Sequence, residues 1–250
     1  MRIAIFSDIH GNLSAFRAVL ENIDQQAPDL IVFAGDLCLV GPRPAQCVDL
    51  LRSRRITAVY GNTDDWVLGR QSPPERLQPL ATWTLDQLSA KNREWLRNLP
   101  FAVTINPTAE NASALTIVHA NPQDVNQILF PPEDVSSLAT GGSPIGFSLD
   151  SLLSGLKAQA LAFGHLHIPS IRLWQNLLLI NVSSVSMTGD GDPRAKYALV
   201  TWDGAQWSAE HIRVAYDVSE EIEAYRQTQP PGWQEAIQSL ETYGTIPQRV

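Results

Sequence analysis

Apolar and β-branched residues alternate from Arg2 to Phe6, which predicts a strand; from Asn12 to Gln25, Leu13, Phe16, Val19, Leu20 and Ile23 recur at helical spacing, and Pro28 closes the unit. Asp29 to Phe33 is a second apolar run, followed by Gly35-Asp36 and a helical stretch from Ala45 to Arg54; a third strand is predicted from Ile56 to Tyr60. Strands alternating with helices imply a parallel sheet built from crossover units. From Asp64 to Asn98 the period is helical throughout, so about 64–98 reads as a helical insertion over one end of the sheet, with Trp66, Trp83 and Trp95 as packing residues. Phe101–Ile105 and Leu115–Val118 read as paired strands, Asn121–Gly146 as irregular, Leu149–Ala158 as a helix and Ala160–Phe163 as a buried strand. Runs at Ile168–Leu173, Leu177–Ile180, Lys196–Trp202 and Trp207–Val214 suggest antiparallel pairing, with Asp203-Gly204 as a hairpin turn. The tail from Asp217 is helical and polar, and no linker divides residues 1–250 into two domains.

Polar chemistry gathers where these apolar runs end. Asp8, His10, Asp36, Asn62, His119, His165 and His167 each follow a strand-like segment, and His211 is the one of the 5 histidines outside the set. Loops leaving the carboxyl ends of parallel strands converge on one rim, where ligands bind. Alternate residues leaving a strand share a side, so His165 and His167 can face one site. Two carboxylates, an amide and four imidazoles suit Mn²⁺, Fe²⁺, Ni²⁺ or Zn²⁺ better than Ca²⁺ or Mg²⁺. Seven groups exceed the needs of one ion, and two ions about 3.5 to 4 Å apart fit if a carboxylate bridges them. Two dications against Asp8 and Asp36 leave about +2, which would attract a phosphate.

Composition narrows the classes. Of the 250 residues 44% are hydrophobic and 18% charged, as in folded proteins, and the formal charge of -8 argues against general nucleic-acid binding. No apolar run reaches the roughly 20 residues of a membrane helix, and the first residues read as a strand and not as a signal peptide, so the expected location is cytoplasmic. Cys38 and Cys47 read as small hydrophobes in a reducing compartment. Gly141–Gly146 lacks the ending of a phosphate loop, no GxSxG elbow occurs, and the sequon at Asn111 is inert in the cytoplasm. Asp190-Gly-Asp-Pro reads as a tight turn, Arg43 as a solvated loop residue and Arg194 as a structural ion pair.

The ordered motifs resemble one family, the calcineurin-like metallophosphoesterases, in particular a small prokaryotic phosphodiesterase-like branch. They read SDIHGN at Ser7–Asn12, GD at Gly35-Asp36, GN at Gly61-Asn62, HA at His119-Ala120 and GHLH at Gly164–His167, and the likeness extends to Asp190–Val200. The resemblance implies an α/β fold, a four-layer αββα sandwich of two stacked mixed sheets. It implies Asp8, His10 and His167 on one metal, Asn62, His119 and His165 on a second, and Asp36 bridging, with Mn²⁺ the first choice of ion. It further implies attack of a metal-bridging hydroxide on a small phosphate-ester substrate, with Asn62 also placing the phosphate as a catalytic residue. Three departures stand out: Thr63 where many relatives carry a histidine acid, Ala120 where a glycine is usual, and Asn181-Val-Ser-Ser-Val in place of NPGSV. Without the histidine, diesters are favoured over monoesters as substrates. The latter two changes are expected to narrow the pocket. The alternatives are a phosphomonoesterase or nucleotide phosphatase, and a non-catalytic scaffold of the same fold; a homo-oligomer is compatible with each.

Overall fold

The computed structural model describes residues 1–108, 113–129 and 149–244, with side chains of the last stretch to 242. Asn111 and Gly141–Gly146 lie outside the described residues, as does the irregular stretch from 130 onward.

The first strand, β1 (Arg2–Phe6), is buried on both faces, and its side-chain period of two explains why. Ala4 and Phe6 face a helical layer and join a core with Phe16, Ile23 and Leu51, whereas Ile3 and Ile5 face a second sheet and pack with Ile117, Ile180 and Val200. After it come α1 (Leu13–Gln26), β2 (Leu30–Phe33), α2 (Pro44–Ser53) and β3 (Thr57–Ala58). Helix α1 starts at Asn12, whose side chain accepts from Ala15 N–H at 3.0 Å, and ends on Ala27 in the left-handed region at φ 46°. The expected third strand, Ile56–Tyr60, shrinks to two residues because Tyr60 N–H leaves the sheet for the Pro100 carbonyl at 3.2 Å.

The chain then forms α3 (Asn62–Val67), a 3₁₀ turn (Glu75–Leu77), α4 (Gln78–Gln87) and α5 (Ala90–Arg97). These helices extend the layer made by α1 and α2. Val67, Leu80, Leu88 and Leu96 are buried in the same core, and Trp66, Trp83 and Trp95 pack against it.

Strands β4 (Ala102–Ile105), β5 (Leu115–Val118), β6 (Ala160–Phe163), β7 (Ser170–Trp174) and β8 (Leu177–Asn181) form the second sheet, in the order β4-β5-β6-β8-β7. Strands β9 (Ala195–Trp202) and β10 (Trp207–Val214) return to the first, whose order is β10-β9-β1-β2-β3. Both sheets are mixed: β1–β2 and β5–β6 are parallel, while β1–β9 and β7–β8 are antiparallel. The turn between β9 and β10 is held by the Asp203 carboxylate, which accepts from Ala205 and Gln206 N–H. The two sheets stack face to face, and helices flank them.

Among the described residues the outer layer on the second sheet is thin. The helix expected over Leu149–Ala158 is the single turn α6 (Leu149–Leu152), because Gly155 turns left-handed at φ +78° and stops its propagation. Leu149 and Leu152 still bury against Leu161, Phe163 and Leu179. The polar tail forms α7 (Val218–Thr228) and α8 (Trp233–Gly244), and α7 buries Glu221, Ala224 and Tyr225. Cys38 and Cys47 are both free and fully buried. No helix among the described residues is long and apolar enough to cross a membrane.

Candidate metal centre

The carboxyl ends of β1, β2 and β3 in one sheet and of β5 and β6 in the other point to the same rim, and all seven side chains singled out from the sequence meet there. Backbone hydrogen bonds stitch the first two loops together: Asp8 N–H to Gly35 O at 2.9 Å, His10 N–H to Asp36 O at 3.1 Å and Gly11 N–H to Leu37 O at 2.8 Å. Gly164 N–H bonds His119 O at 2.8 Å and ties the β5 and β6 loops in the same way. The turns are tight enough that Asp8, His10, Asp36, His165 and His167 all lie at positive φ, between 48° and 67°. Such conformations cost of order 1 kcal/mol or more each for non-glycine residues and persist at functional sites where the surroundings over-determine them. Two glycines permit the close approach. A Cβ on Gly61 would overlap the Asp36 carboxylate, and one on Gly164 would overlap Ser7 Oγ and Asp8 Oδ2.

The side chains fall into two groups, Asp8 with His10 and His167, and Asp36 with His119 and His165; within each, ligand atoms lie within 4.8 Å of one another. In the first, His167 Nε2 is 3.1 Å and His10 Nε2 3.6 Å from Asp8 Oδ1. In the second, His119 Nε2 is 3.4 Å from Asp36 Oδ1 and 2.9 Å from Asn62 Oδ1. Asp36 stands between the groups, since its Oδ2 lies 3.7 Å from His10 Nε2.

Each ring is oriented by its outer nitrogen. Nδ1 of His10, His119 and His167 meets the carbonyls of Leu39, Ala34 and Met187 at 3.0, 2.9 and 2.9 Å. His165 is turned the other way, with Nε2 on Asn126 O at 3.0 Å and Nδ1 inward. An outer nitrogen facing a carbonyl must carry the hydrogen, so in the neutral ring the inner nitrogen offers a lone pair. Those inner nitrogens nevertheless crowd together: His10 Nε2 and His167 Nε2 are 3.3 Å apart, and His165 Nδ1 and His119 Nε2 are 3.2 Å apart. Lone pairs hold such separations only with a proton or a cation among them. The donor set therefore fits two divalent cations.

The electrostatics agree. Burial opposes charge on Asp8, yet the imidazoles, His167 foremost, hold its carboxyl well below the usual range. Burial opposes charge on Asp36 too, but His119 draws its carboxyl down to about 2. Burial works against the His119 cation, and the Asp36 carboxylate outweighs it, raising His119 to about 9. Burial and the neighbouring His119 charge lower His165 to about 4. The carboxylates are thus kept charged for a cation, and one imidazole proton holds its place without it.

Several supporting residues were not legible as such. Asp64 lies inside α3, and Gly61 occupies the cap. The buried Asp64 carboxylate accepts from Gly61, Asp36 and Leu37 N–H at 2.9, 3.1 and 3.0 Å, clamping the β2 and β3 loops. An acid three residues after a helix cap is the signal that finds it. Burial and the adjacent Asp36 charge push Asp64 up to about 6. Thr63 donates its backbone N–H to Asp36 Oδ1 at 2.9 Å, while its buried hydroxyl has no hydrogen-bond partner among the described residues.

The stretch 181–184 braces the site with two residues shared with NPGSV, Asn181 and Ser184, and with the departing Ser183. Asn181 Nδ2 bonds Gly164 O at 2.9 Å, Ser183 Oγ bonds His167 O at 3.1 Å and Ser184 Oγ bonds Asp8 O at 3.0 Å. Ala120 is buried. Arg194 pairs with Asp192 at 2.6 Å. Arg43 is no solvated loop residue: its guanidinium joins Glu220 and the buried Glu221.

A model of the calcineurin-like phosphoesterase superfamily domain matches residues 1–205. The protein MJ0912 of Methanocaldococcus jannaschii is 30% identical over 255 residues, spanning 92% of this chain and 94% of its own. Phosphodiesterase YfcE of Escherichia coli strain K12 is 24% identical over 213 residues, 81% of this chain and 89% of its own. The crystal structure of a metallophosphoesterase from Sphaerobacter thermophilus superposes with a TM-score of 0.73 at 27% identity, covering 97% of this chain and 99% of that one.

Proposed function

Because this chain belongs to the calcineurin-like phosphoesterase superfamily, we propose that it is a phosphodiesterase that works with two divalent cations, Mn²⁺ foremost, held by the two Asp/His groups. The observation that carries the reading is the close pairing of inward imidazole nitrogens, His10 against His167 and His119 against His165, around two charged carboxylates. Asp8, His10 and His167 would hold one cation, Asn62, His119 and His165 the other, and Asp36 would reach both. Such cations acidify water and draw charge from phosphoryl oxygens in the transition state.

The chain's own part is placement. Leu39, Ala34 and Met187 carbonyls fix three imidazoles, and the Asn126 carbonyl fixes the fourth, so the ligand geometry is set before substrate arrives. Asn62, adjacent to His119, helps to seat the phosphate. Thr63 offers a hydroxyl that does not give up a proton near pH 7, so an acid-assisted departure, typically worth 10² to 10⁴-fold, has no imidazole there. That favours esters whose leaving oxygen needs little protonation, and the relative's name, phosphodiesterase YfcE, supports the same choice. The test compares Mn²⁺-supported hydrolysis of a bis-aryl phosphate diester with that of the aryl monoester. The diester is expected to turn over faster; a large monoester preference overturns the proposal.

A further inference from the structure

The loop behind His10 holds a backbone oddity. Val40 lies at φ 97°, a conformation that a β-branched residue adopts only under constraint. Its neighbours both serve His10: Leu39 O accepts from His10 Nδ1 at 3.0 Å, and Gly41 N–H donates to His10 O at 2.6 Å. Arg43 N–H bonds Gly11 O at 3.2 Å, so the segment Leu39–Arg43 lies alongside His10-Gly11 and fixes both its backbone and its ring.

What constrains this segment comes from α7. Tyr225 Oη donates to Val40 O at 3.3 Å. One turn earlier on the same helix face, the buried Glu221 carboxylate accepts from Ser14 Oγ at 3.0 Å and from the Arg43 guanidinium. Glu221 thereby joins the start of α1, four residues past His10, to the end of the Leu39–Arg43 segment. Tyr216, just before α7, adds a tie at 3.4 Å from Asn12 Nδ2 to its hydroxyl. All three residues lie beyond the stretch that the family model matches, 1–205.

We propose that the Glu221 and Tyr225 face of α7 positions the metal ligand His10, and so sets how tightly the Asp8, His10 and His167 group binds its divalent cation. The inference rests on the reading of that group as a metal site. Glu221 and Tyr225 are positioning residues; they act through Arg43, Ser14 and Val40 and touch no cation.

The experiment titrates the metal-free full chain with Mn²⁺ alone, by calorimetry with a competing chelator, and follows thermal unfolding alongside. His10→Asn identifies which of two binding steps belongs to the His10 group. Removing a residue that orients a metal ligand costs about 10 to 100-fold in affinity, and these residues stand one contact further out. Tyr225→Phe and Glu221→Gln are therefore expected to weaken the His10 step by about three- to tenfold and to leave the other step within about twofold. If Glu221→Gln does not fold, Tyr225→Phe decides alone, since it keeps the packed ring. Two unchanged steps in the variants overturn the proposal, as does an equal weakening of both steps together with lost thermal stability. A wild-type chain that takes up no pair of Mn²⁺ ions overturns the metal-site reading itself, whereas a two-step wild type matched by its variants overturns only the role of α7.

Discussion

Replacing Asp64 separates two properties of its carboxylate, the charge and the hydrogen-bond acceptors. In Asp64→Ala the N–H groups of Gly61, Asp36 and Leu37 lose a buried partner. Each stranded donor costs about 1 to 3 kcal/mol, or roughly 3 to 9 together, before water enters the gap. Against this, the rise of Asp64 from 3.8 to about 6 means that its charge is held at a disadvantage, which the substitution relieves by about 3 kcal/mol at pH 8. The difference spans about 0 to 6 kcal/mol, and its midpoint of about 3 kcal/mol corresponds to a fall in Tm of roughly 6 to 12 °C for a chain of this size. Asp64→Asn removes the same charge but keeps an oxygen that serves Gly61 and Asp36 N–H when it takes the place of Oδ2, so its loss should stay within about 1 kcal/mol. The assay is thermal and urea unfolding of the metal-free protein at pH 8. Because both variants lack the charge and differ in the acceptors they keep, Asp64→Asn should be the more stable of the two; equal stability of the Ala and Asn variants would refute the clamp.

Further outcomes follow from the same geometry. Chelating the metal should lower the thermal midpoint of the wild type, because each ion bound at a hundredfold excess over its Kd contributes about 2.7 kcal/mol; differential scanning with and without chelator checks this, and no shift counts against metal at the site. Gly164→Ala should abolish tight Mn²⁺ binding, since a methyl group there collides with Ser7 and Asp8, and retained affinity by equilibrium dialysis would contradict the packing. Thr63→His should raise monoester turnover more than diester turnover if the missing acid is limiting; equal rates in steady-state assays refute that account of Thr63.

The site was legible because of how the sheets are buried. Strands β1, β2 and β6 carry residues packed on both faces, so they stand out as short apolar runs, and the first polar residues after them mark the rim. The histidines of β5 and β6 announce themselves because little else in the chain is histidine. Contacts made across long sequence distances left no such mark. Arg43 read as a surface residue because its partner Glu221 lies 178 residues away, and Glu221 read as part of a polar tail for the same reason. The Asn126 contact to His165 is made by a backbone carbonyl, to which any residue type contributes equally. The helix expected at Leu149–Ala158 stopped after one turn because Gly155 takes a left-handed conformation, which periodicity does not weigh. The shortening of β3 depends on Pro100, forty residues on from Tyr60, claiming its N–H.

The most direct test of the central claim is anomalous diffraction from crystals soaked in Mn²⁺. Two peaks about 3.5 to 4 Å apart are expected, one among Asp8, His10 and His167, the other among Asn62, His119 and His165, with Asp36 touching both. A single peak, or none within reach of these side chains, would contradict it.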